Sequence, residues 1–223
     1  MILKPHTIQV LKNFSSINQG ILINSGNVLR SMSVRRNIFA SAPVEDVFEK
    51  TFAIYDLNEF LATISLYSRP DLEFKDDFIQ ITDADNPSSK IKYFYSSPSV
   101  VVSPPEKAIV MPEPDAEFVL NINQFEQIIK AASVMKLKNV TVDKDGIKVH
   151  NDNSTGNQYR VDLDVNMSED FKGKLQLSVD NLKIIHGDYK VMMSVKGLCK
   201  FTCTSPSYPD LEYFIALDVP SES

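Results

Sequence analysis

The side chains with most chemical potential in this chain are its paired carboxylates and its scattered lysines. Asp162 and Asp164 form an Asp-x-Asp pair and Asp76 stands beside Asp77. Either pair could contribute to a magnesium site, but Mg²⁺ ordinarily requires further converging carboxylates or substrate phosphates. One pair alternates along an expected strand and the other sits on an expected hairpin turn, so solvated surface is the reading their spacing favours. His6, His150 and His186 lie far apart with no metal-ligand spacing around them. Cys199 and Cys203, on an expected strand, are separated by about 13 Å, beyond the reach of a disulfide. They read as small core residues of a reduced protein. The seven glycines are dispersed, so no loop cradles a phosphate, and there is neither a Walker-type loop nor a Gly-x-Ser-x-Gly elbow. No nucleophile and base arrangement emerges. No catalytic residue, metal or cofactor is therefore assigned, and the chain is expected not to be an enzyme.

The lysines carry a different signal. Net charge is −6, which argues against nucleic acid, yet the distribution matters more than the sum. Lys12, Lys130 and Lys183 fall on the polar faces of expected helices, with Lys136 and Lys138 just beyond one of them. Acids gather in strands and loops instead: Glu45, Asp46 and Glu49; Glu73, Asp76 and Asp77; Glu113, Asp115 and Glu117; Asp162 and Asp164; Glu169 and Asp170. Any one such lysine is accounted for as a solvated helix residue. As a set they suggest a basic helical surface, from which the second expected helix, with Glu59 and no lysine, departs.

The elements that must position these residues repeat four times: an apolar helical stretch followed by two or three short strands. Hairpins are expected at 21–29, 72–81, 140–149 and 191–201. The last three copies share a helix start, Leu57-Asn58-Glu59-Phe60, Ile122-Asn123-Gln124-Phe125 and Val179-Asp180-Asn181-Leu182. Asn58, Asn123 and Asp180 are suited to capping there. A short strand precedes each start, and the first copy shows only its helix, about Pro5 to Ile17. The spacing of Ile8, Leu11 and Phe14, of Phe125, Ile128, Ile129 and Ala132, and of Leu182 and Ile185 in a shorter fourth helix, gives each helix one buried face.

Two units per half favour two domains of about a hundred residues each, 1–103 and 115–223. Between them, 104–114 reads as a connector in a proline-rich stretch that starts at Pro98, too apolar at Val100–Val102 and Ile109–Met111 to float free. Pro220–Ser223 are expected to form a short tail. No apolar run is long enough to cross a bilayer and no secretory signal is evident, so a soluble, intracellular protein is expected.

With helix starts, hairpins and connector in place, the chain resembles the DNA polymerase sliding clamps of T-even-type phages. The likeness is carried by Leu11-Lys12-Asn13-Phe14 with Ile17-Asn18, by Ala53-Ile54-Tyr55-Asp56-Leu57-Asn58 with Phe60-Leu61, by Asp188-Tyr189-Lys190 leading to Lys196-Gly197, and by Ala216-Leu217. It spans essentially the whole chain, diverging most at 74–112 and 151–171. The resemblance implies an α+β sliding-clamp fold: two similar domains, each of two β-α-β-β-β units, with helices on one face of antiparallel sheets. It further implies a homotrimeric ring around duplex DNA, with helices lining the hole and an acidic outer wall. Such a ring holds DNA without reading its sequence, through diffuse salt-sensitive contacts. Its implied partners are the replicative polymerase and an ATP-dependent clamp loader, with transcription factors as further candidates, and no membrane or cofactor. The setting would be the cytoplasm of an infected bacterial cell.

Carried over to this sequence, the resemblance places Lys4, Lys12, Lys130, Lys136 and Lys183 in the hole, with Lys138 and Arg69 as weaker candidates. It suggests subunit contacts between strands 91–95 and 158–164, through Ile91, Tyr93, Tyr95, Tyr159 and Val161. It also implies a pocket for partner peptides near the connector, assigned to Val110, Met111, Pro112, Leu217 and Val219. Two other readings stay open: a non-enzymatic viral structural or scaffold protein with the same repeat that does not encircle DNA, and an enzyme of nucleic-acid metabolism using the aspartates with magnesium.

Overall fold

The computed structural model describes residues 1–218 except 87, 106, 153, 154, 170 and 172. Two compact units emerge, one of Met1–Arg36 and Ala40–Pro105, the other of Asn37–Phe39 and Glu106–Ser223. The Val219 and Pro220–Ser223 assignments lie outside the described residues.

In the first unit, α1 (Pro5–Ile17) is followed by β1 (Ile21–Ile23), β2 (Gly26–Met32), β3 (Ile38–Phe48), β4 (Phe52–Ile54), α2 (Leu57–Ile64), β5 (Pro70–Phe74), β6 (Phe78–Asp83) and β7 (Lys90–Phe94). Pro5 occupies the first turn of α1, where its fixed φ is already helical and its missing N–H is no loss. Val10, Leu11, Phe14 and Ile17 form the buried stripe of α1, and Leu57, Phe60, Leu61 and Ile64 that of α2. The two helices pack against each other. Strands β5, β6 and β7 form an antiparallel sheet with Leu72, Ile79 and Ile81 fully buried. Phe48, Phe52, Phe74 and Tyr95 close one end of this core, with ring centroids 5.2–6.1 Å apart. Asn18 ends α1 and ties down the chain beyond β7: its Nδ2 donates to the carbonyls of Met32 (2.9 Å) and Val102 (3.0 Å). Val101 beside it is buried.

The second unit runs through β8 (Ala116–Leu120), α3 (Ile122–Met135), β9 (Asn139–Asp143), β10 (Gly146–His150), β11 (Gln158–Asp162), β12 (Asn166–Met167), β13 (Leu175–Ser178), β14 (Tyr189–Ser194), β15 (Leu198–Cys203) and β16 (Glu212–Ala216). One sheet has the order β11-β10-β9-β13, and β12, β8, β14, β15 and β16 are consecutive neighbours in another. Phe125, Tyr189, Phe201 and Tyr213 stack edge to face in the core. Cys199 and Cys203 are buried free thiols, and burial pushes both pKa values up.

The repeat order expected from the sequence is present, with three local corrections. Stretch 21–29 is not a hairpin: β1 pairs with β4, Ile21 opposite Ile54, while β2 lies beside β3. Gly26, at φ 114°, marks the corner where the chain changes sheets, a conformation closed to most side chains. The helix caps also sit earlier than expected. Leu57 and Ile122 are already helical, so the capping oxygens come from Asp56, accepting from Glu59 N–H, and from Asn121, which forms a reciprocal capping box with Gln124. Asn58 and Asn123 lie inside the first turn.

The third correction is the fourth helix, which does not form. Only one 3-10 turn, Val179–Asn181, appears, and Leu182 leaves helical geometry at φ −78°, ψ 47°. The stretch before Gly187 is too short to offset nucleation, and Ile184 and Ile185 are β-branched. Tyrosine hydroxyls satisfy its backbone instead: Ile185 N–H donates to Tyr213 Oη (3.1 Å), and Tyr189 Oη donates to the Ile185 carbonyl (2.6 Å).

Candidate nucleic-acid and subunit surfaces

The five leading lysines are all exposed. Lys4 occupies the N-cap position of α1, just outside the helix and without a side-chain capping bond, its backbone N–H donating to Asp46 Oδ2 at 2.8 Å. Lys12 lies opposite the buried Leu11 and Phe14, on a helix with no acidic residue. Lys130 sits on α3 away from Phe125, Ile128 and Ala132, one turn after Glu126. Lys136 takes the left-handed conformation that ends α3, φ 53°, while Leu137 N–H reaches back to the Ala132 carbonyl and the Leu137 side chain is buried. Lys183 follows the 3-10 turn on the tyrosine-held coil, so its expected place on a helix is corrected, though it remains exposed. Of the weaker candidates, Arg69 is paired with Asp85 at 3.0 Å, and Lys138 donates its backbone N–H to the His150 carbonyl.

The strands proposed for subunit contact are both sheet edges. Among the described residues, β7 has only β6 beside it, and β11 only β10. On β7, Ile91 and Tyr93 are half-buried while Lys90, Lys92 and Phe94 are exposed, Phe94 by 65 %. Tyr93 packs on Phe60 and donates to the Asp56 carbonyl; Tyr95 donates to that of Lys75. Burial pushes both phenols up to about 12, so they stay neutral donors across the physiological range. On β11, Tyr159 Oη donates to Gln127 of α3, and Val161 is half-buried between exposed Arg160 and Asp162.

Arg160 organises the second edge, a role missed in the sequence because its partners come from two strands and a turn. Its guanidinium donates to both carboxylate oxygens of Asp143 (2.8 and 3.1 Å) and to Asp162 (3.1 Å), and it lies 3.8 Å from Asp145. The hydrogen bonds from Arg160 hold the Asp143 carboxyl below the usual carboxylate range. Gly146 permits this approach: a Cβ there would stand 2.1 Å from the Val161 carbonyl. Asp162 is thus engaged by an arginine while its side chain stays largely open to solvent. The signal available in the sequence was the alternation Tyr159-Arg160-Val161-Asp162, which pairs with Gly146–Val149 and so comes within one strand of Asp143.

The residues assigned to a peptide pocket are spread between exposed and buried. Val110 is 78 % exposed, Met111 and Pro112 are half-exposed, and Leu217 is buried at 8 %, its N–H donating to the Gly197 carbonyl.

Comparison with known proteins then bears on the whole chain. Residues 4–103 match the family described as DNA polymerase processivity factor. The sliding clamp of Vibrio phage KVP40 is 31 % identical, over 98 % of this chain and 99 % of its own. Those of Escherichia phage RB69 and Enterobacteria phage T4 are each 30 % identical, covering 93 % and 88 % of this chain and 95 % and 89 % of their own. Among solved structures, PCNA from Thermococcus kodakaraensis superimposes with a TM-score of 0.69 at 13 % identity, covering 98 % of this chain and 99 % of that one. Proliferating cellular nuclear antigen from Entamoeba histolytica gives 0.68 at 12 % identity, covering 95 % and 94 %. At such identities the structural likeness speaks for the fold.

Proposed function

The chain belongs to the DNA polymerase processivity factors, the sliding clamps, and from that premise we propose that three copies close into a ring around duplex DNA and tether the replicative polymerase to it. The observation that carries this reading is the end-to-end relationship to phage sliding clamps, over 98 % of the chain. An inner surface of helices, their ends and the coil after Leu182, bearing Lys4, Lys12, Lys130, Lys136 and Lys183, attracts phosphates without reading bases, so the ring slides. Such contacts are individually weak and salt-sensitive, and topological linkage supplies the residence time. The clamp is non-catalytic: its contribution is to keep a polymerase from diffusing away. An ATP-dependent loader opens the ring on primed DNA in the cytoplasm of an infected bacterial cell. Two domains, 1–103 and 115–223, joined by 104–114, give six around the hole. Peptides of polymerase and loader dock near Val110, Met111 and Pro112.

The ring is tested by absolute mass in solution from light scattering: a mass near three times the 25.1 kDa chain is expected at concentrations well above micromolar. Retention on nicked circular but not linear DNA then reports linkage. A monomer at every concentration overturns the ring. Replacing Lys12, Lys130 and Lys183 together by glutamate reverses three exposed charges. It is expected to lower processive synthesis at least tenfold at moderate salt, while light scattering still gives the wild-type mass. Unchanged synthesis would remove these lysines from the DNA surface.

A further inference from the structure

Three of the five arginines in this acidic chain fall within seven residues, Arg30, Arg35 and Arg36. The other two are engaged by carboxylates of the fold, Arg69 by Asp85 and Arg160 by Asp143 and Asp162. The clustered three belong to β2 and the turn 33–37 that leads into β3, and among the described residues none of their guanidiniums has a hydrogen-bond or ion-pair partner. Arg30 is half-buried, while Arg35 and Arg36 are exposed at the tip beside Val34, itself 69 % exposed. The tip has a fixed shape. Arg36 N–H donates to the Ser33 carbonyl (2.8 Å), and Arg36 takes φ 57°, a left-handed conformation that glycine adopts far more readily than arginine. Both flanks are held: the Met32 carbonyl accepts from Asn18 Nδ2 (2.9 Å), the Asn37 carbonyl accepts from Ala216 N–H (2.9 Å), and Asn37 Nδ2 donates to Asn181 Oδ1 (2.8 Å). The elements that hold the turn do not neutralise it. No acid occurs in α1, which ends at Asn18, and Asp180 beside Asn181 and Asp218 beyond Ala216 form no ion pair with the arginines. Glu45, the first acid of β3, stands seven residues past Ile38, about 23 Å along the strand.

We propose that the turn 33–37 docks an acidic segment of a partner protein, whose carboxylates take the Arg35 and Arg36 guanidiniums while an apolar neighbour rests on Val34. This is an electrostatic anchor distinct from the connector pocket assigned above. It takes one premise from the ring reading, that DNA lies against the surface of helices and lysines. Residue type separates the two surfaces. Every position assigned to the hole is a lysine, a compact charge suited to diffuse contact, whereas a guanidinium is a planar fork that fixes a carboxylate through two parallel bonds. Val34 points the same way: an exposed apolar side chain offers contact area to a polypeptide and nothing to a phosphate. Arg36 keeps its place against its backbone preference, where glycine would relieve the strain, so the side chain and not the turn accounts for the residue. Arg30 extends the same charge back along β2. Lys183, two residues past Asn181, makes nucleic acid the competing occupant.

The experiment is fluorescence anisotropy on the full chain at moderate salt, with three labelled probes: a peptide of Glu-Ser repeats, its Gln-Ser counterpart and a short DNA duplex. The acidic peptide is expected to bind wild type and the variant with Lys12, Lys130 and Lys183 changed to glutamate, and the Gln-Ser peptide to bind neither. Combining Arg35→Glu with Arg36→Glu is expected to weaken the acidic peptide at least fivefold and leave the duplex unchanged. Both positions are exposed, so folding is not at stake. Arg36→Gly separates recognition from stability: it is expected to unfold at no lower denaturant concentration than wild type and still bind the peptide more weakly. Peptide binding that ignores the arginines, or that vanishes with the lysines alone, overturns the docking site. A duplex weakened by arginine reversal as much as by lysine reversal assigns the turn to DNA and overturns it too. Loss of stability together with binding in Arg36→Gly would make the arginine a residue of the fold. The two readings fail separately: a wild-type monomer that keeps arginine-dependent peptide binding defeats the ring and upholds the anchor, and a trimer without that binding does the reverse.

Discussion

The two units cover their sheets differently. In the first, α1 and α2 pack together, each with its own buried stripe and its backbone closed on itself. In the second, α3 has for a neighbour the coil after the 3-10 turn, whose His186 ring stands edge-on to Phe125 at 5.4 Å and whose Nδ1 lies 3.3 Å from Glu126. A helix satisfies its own polar groups wherever it is placed. A coil over an apolar core must find partners in that core, and here they are the hydroxyls of Tyr189 and Tyr213, both phenols held far above their ordinary pKa by burial. The same covering task is therefore met by local propensity in one unit and by long-range polar contacts in the other.

The largest test of that contrast is truncation of the matching aromatic in each start. Phe125 and Phe60 are both buried, and either change to alanine is expected to cost about 3–5 kcal/mol in chemical denaturation. Only Phe125→Ala should also speed amide exchange through 182–187, since the coil loses a wall it cannot replace. Equal loosening of α1 in Phe60→Ala would break the comparison.

A smaller effect is expected from Tyr213→Phe. It strands the Ile185 N–H at a cost of about 1–3 kcal/mol and should raise exchange at that amide, with α1 and α2 unaffected. Normal protection at Ile185 would mean that the coil is held by apolar contacts alone.

The smallest difference lies in the helix caps. Asn121→Ala is expected to destabilise α3 by about 1 kcal/mol at any pH. The cap of α2 is a carboxylate, and the bond from Glu59 N–H, then that from Gln19, lowers the Asp56 pKa. A depressed folded-state pKa means that its contribution is complete above the unfolded-state value, near 3.8, and fades as pH falls through the lower folded value. Amide exchange at Glu59 should therefore accelerate in strong acid, while that at Gln124, whose N–H donates to the neutral Asn121 side chain, does not. Asp56→Asn should abolish the difference, and its persistence would assign the pH response to another group.

Much of the fold was legible along the chain because its signals are local. The periodic stripes of α1, α2 and α3, three of the four hairpins and the strands leading into each helix follow from side-chain period and turn chemistry. Where the reading failed, a distant partner had decided. Ile21–Ile23 looked like half of a hairpin but bonds to Phe52–Ile54, more than two dozen residues on. Leu182 and Ile185 keep helical spacing, yet Ile184 is the residue buried, and two tyrosines from flanking strands capture the backbone. Among the surface residues, exposure of Lys12 and Lys130 followed from helix faces, whereas the role of Arg160 required knowing which aspartates β9 and the β9–β10 turn bring near β11.

The sequence alone determined the repeat, the faces of α1, α2 and α3, the strand spacing that keeps Cys199 from Cys203 and the family, since these depend on residue type and near-neighbour spacing. Tertiary structure alone decided which strands pair, that the fourth copy carries a coil in place of a helix, and that β7 and β11 stand at the edges of their sheets. Those outcomes depend on which long-range partners complete each backbone hydrogen bond, and no local pattern encodes that choice.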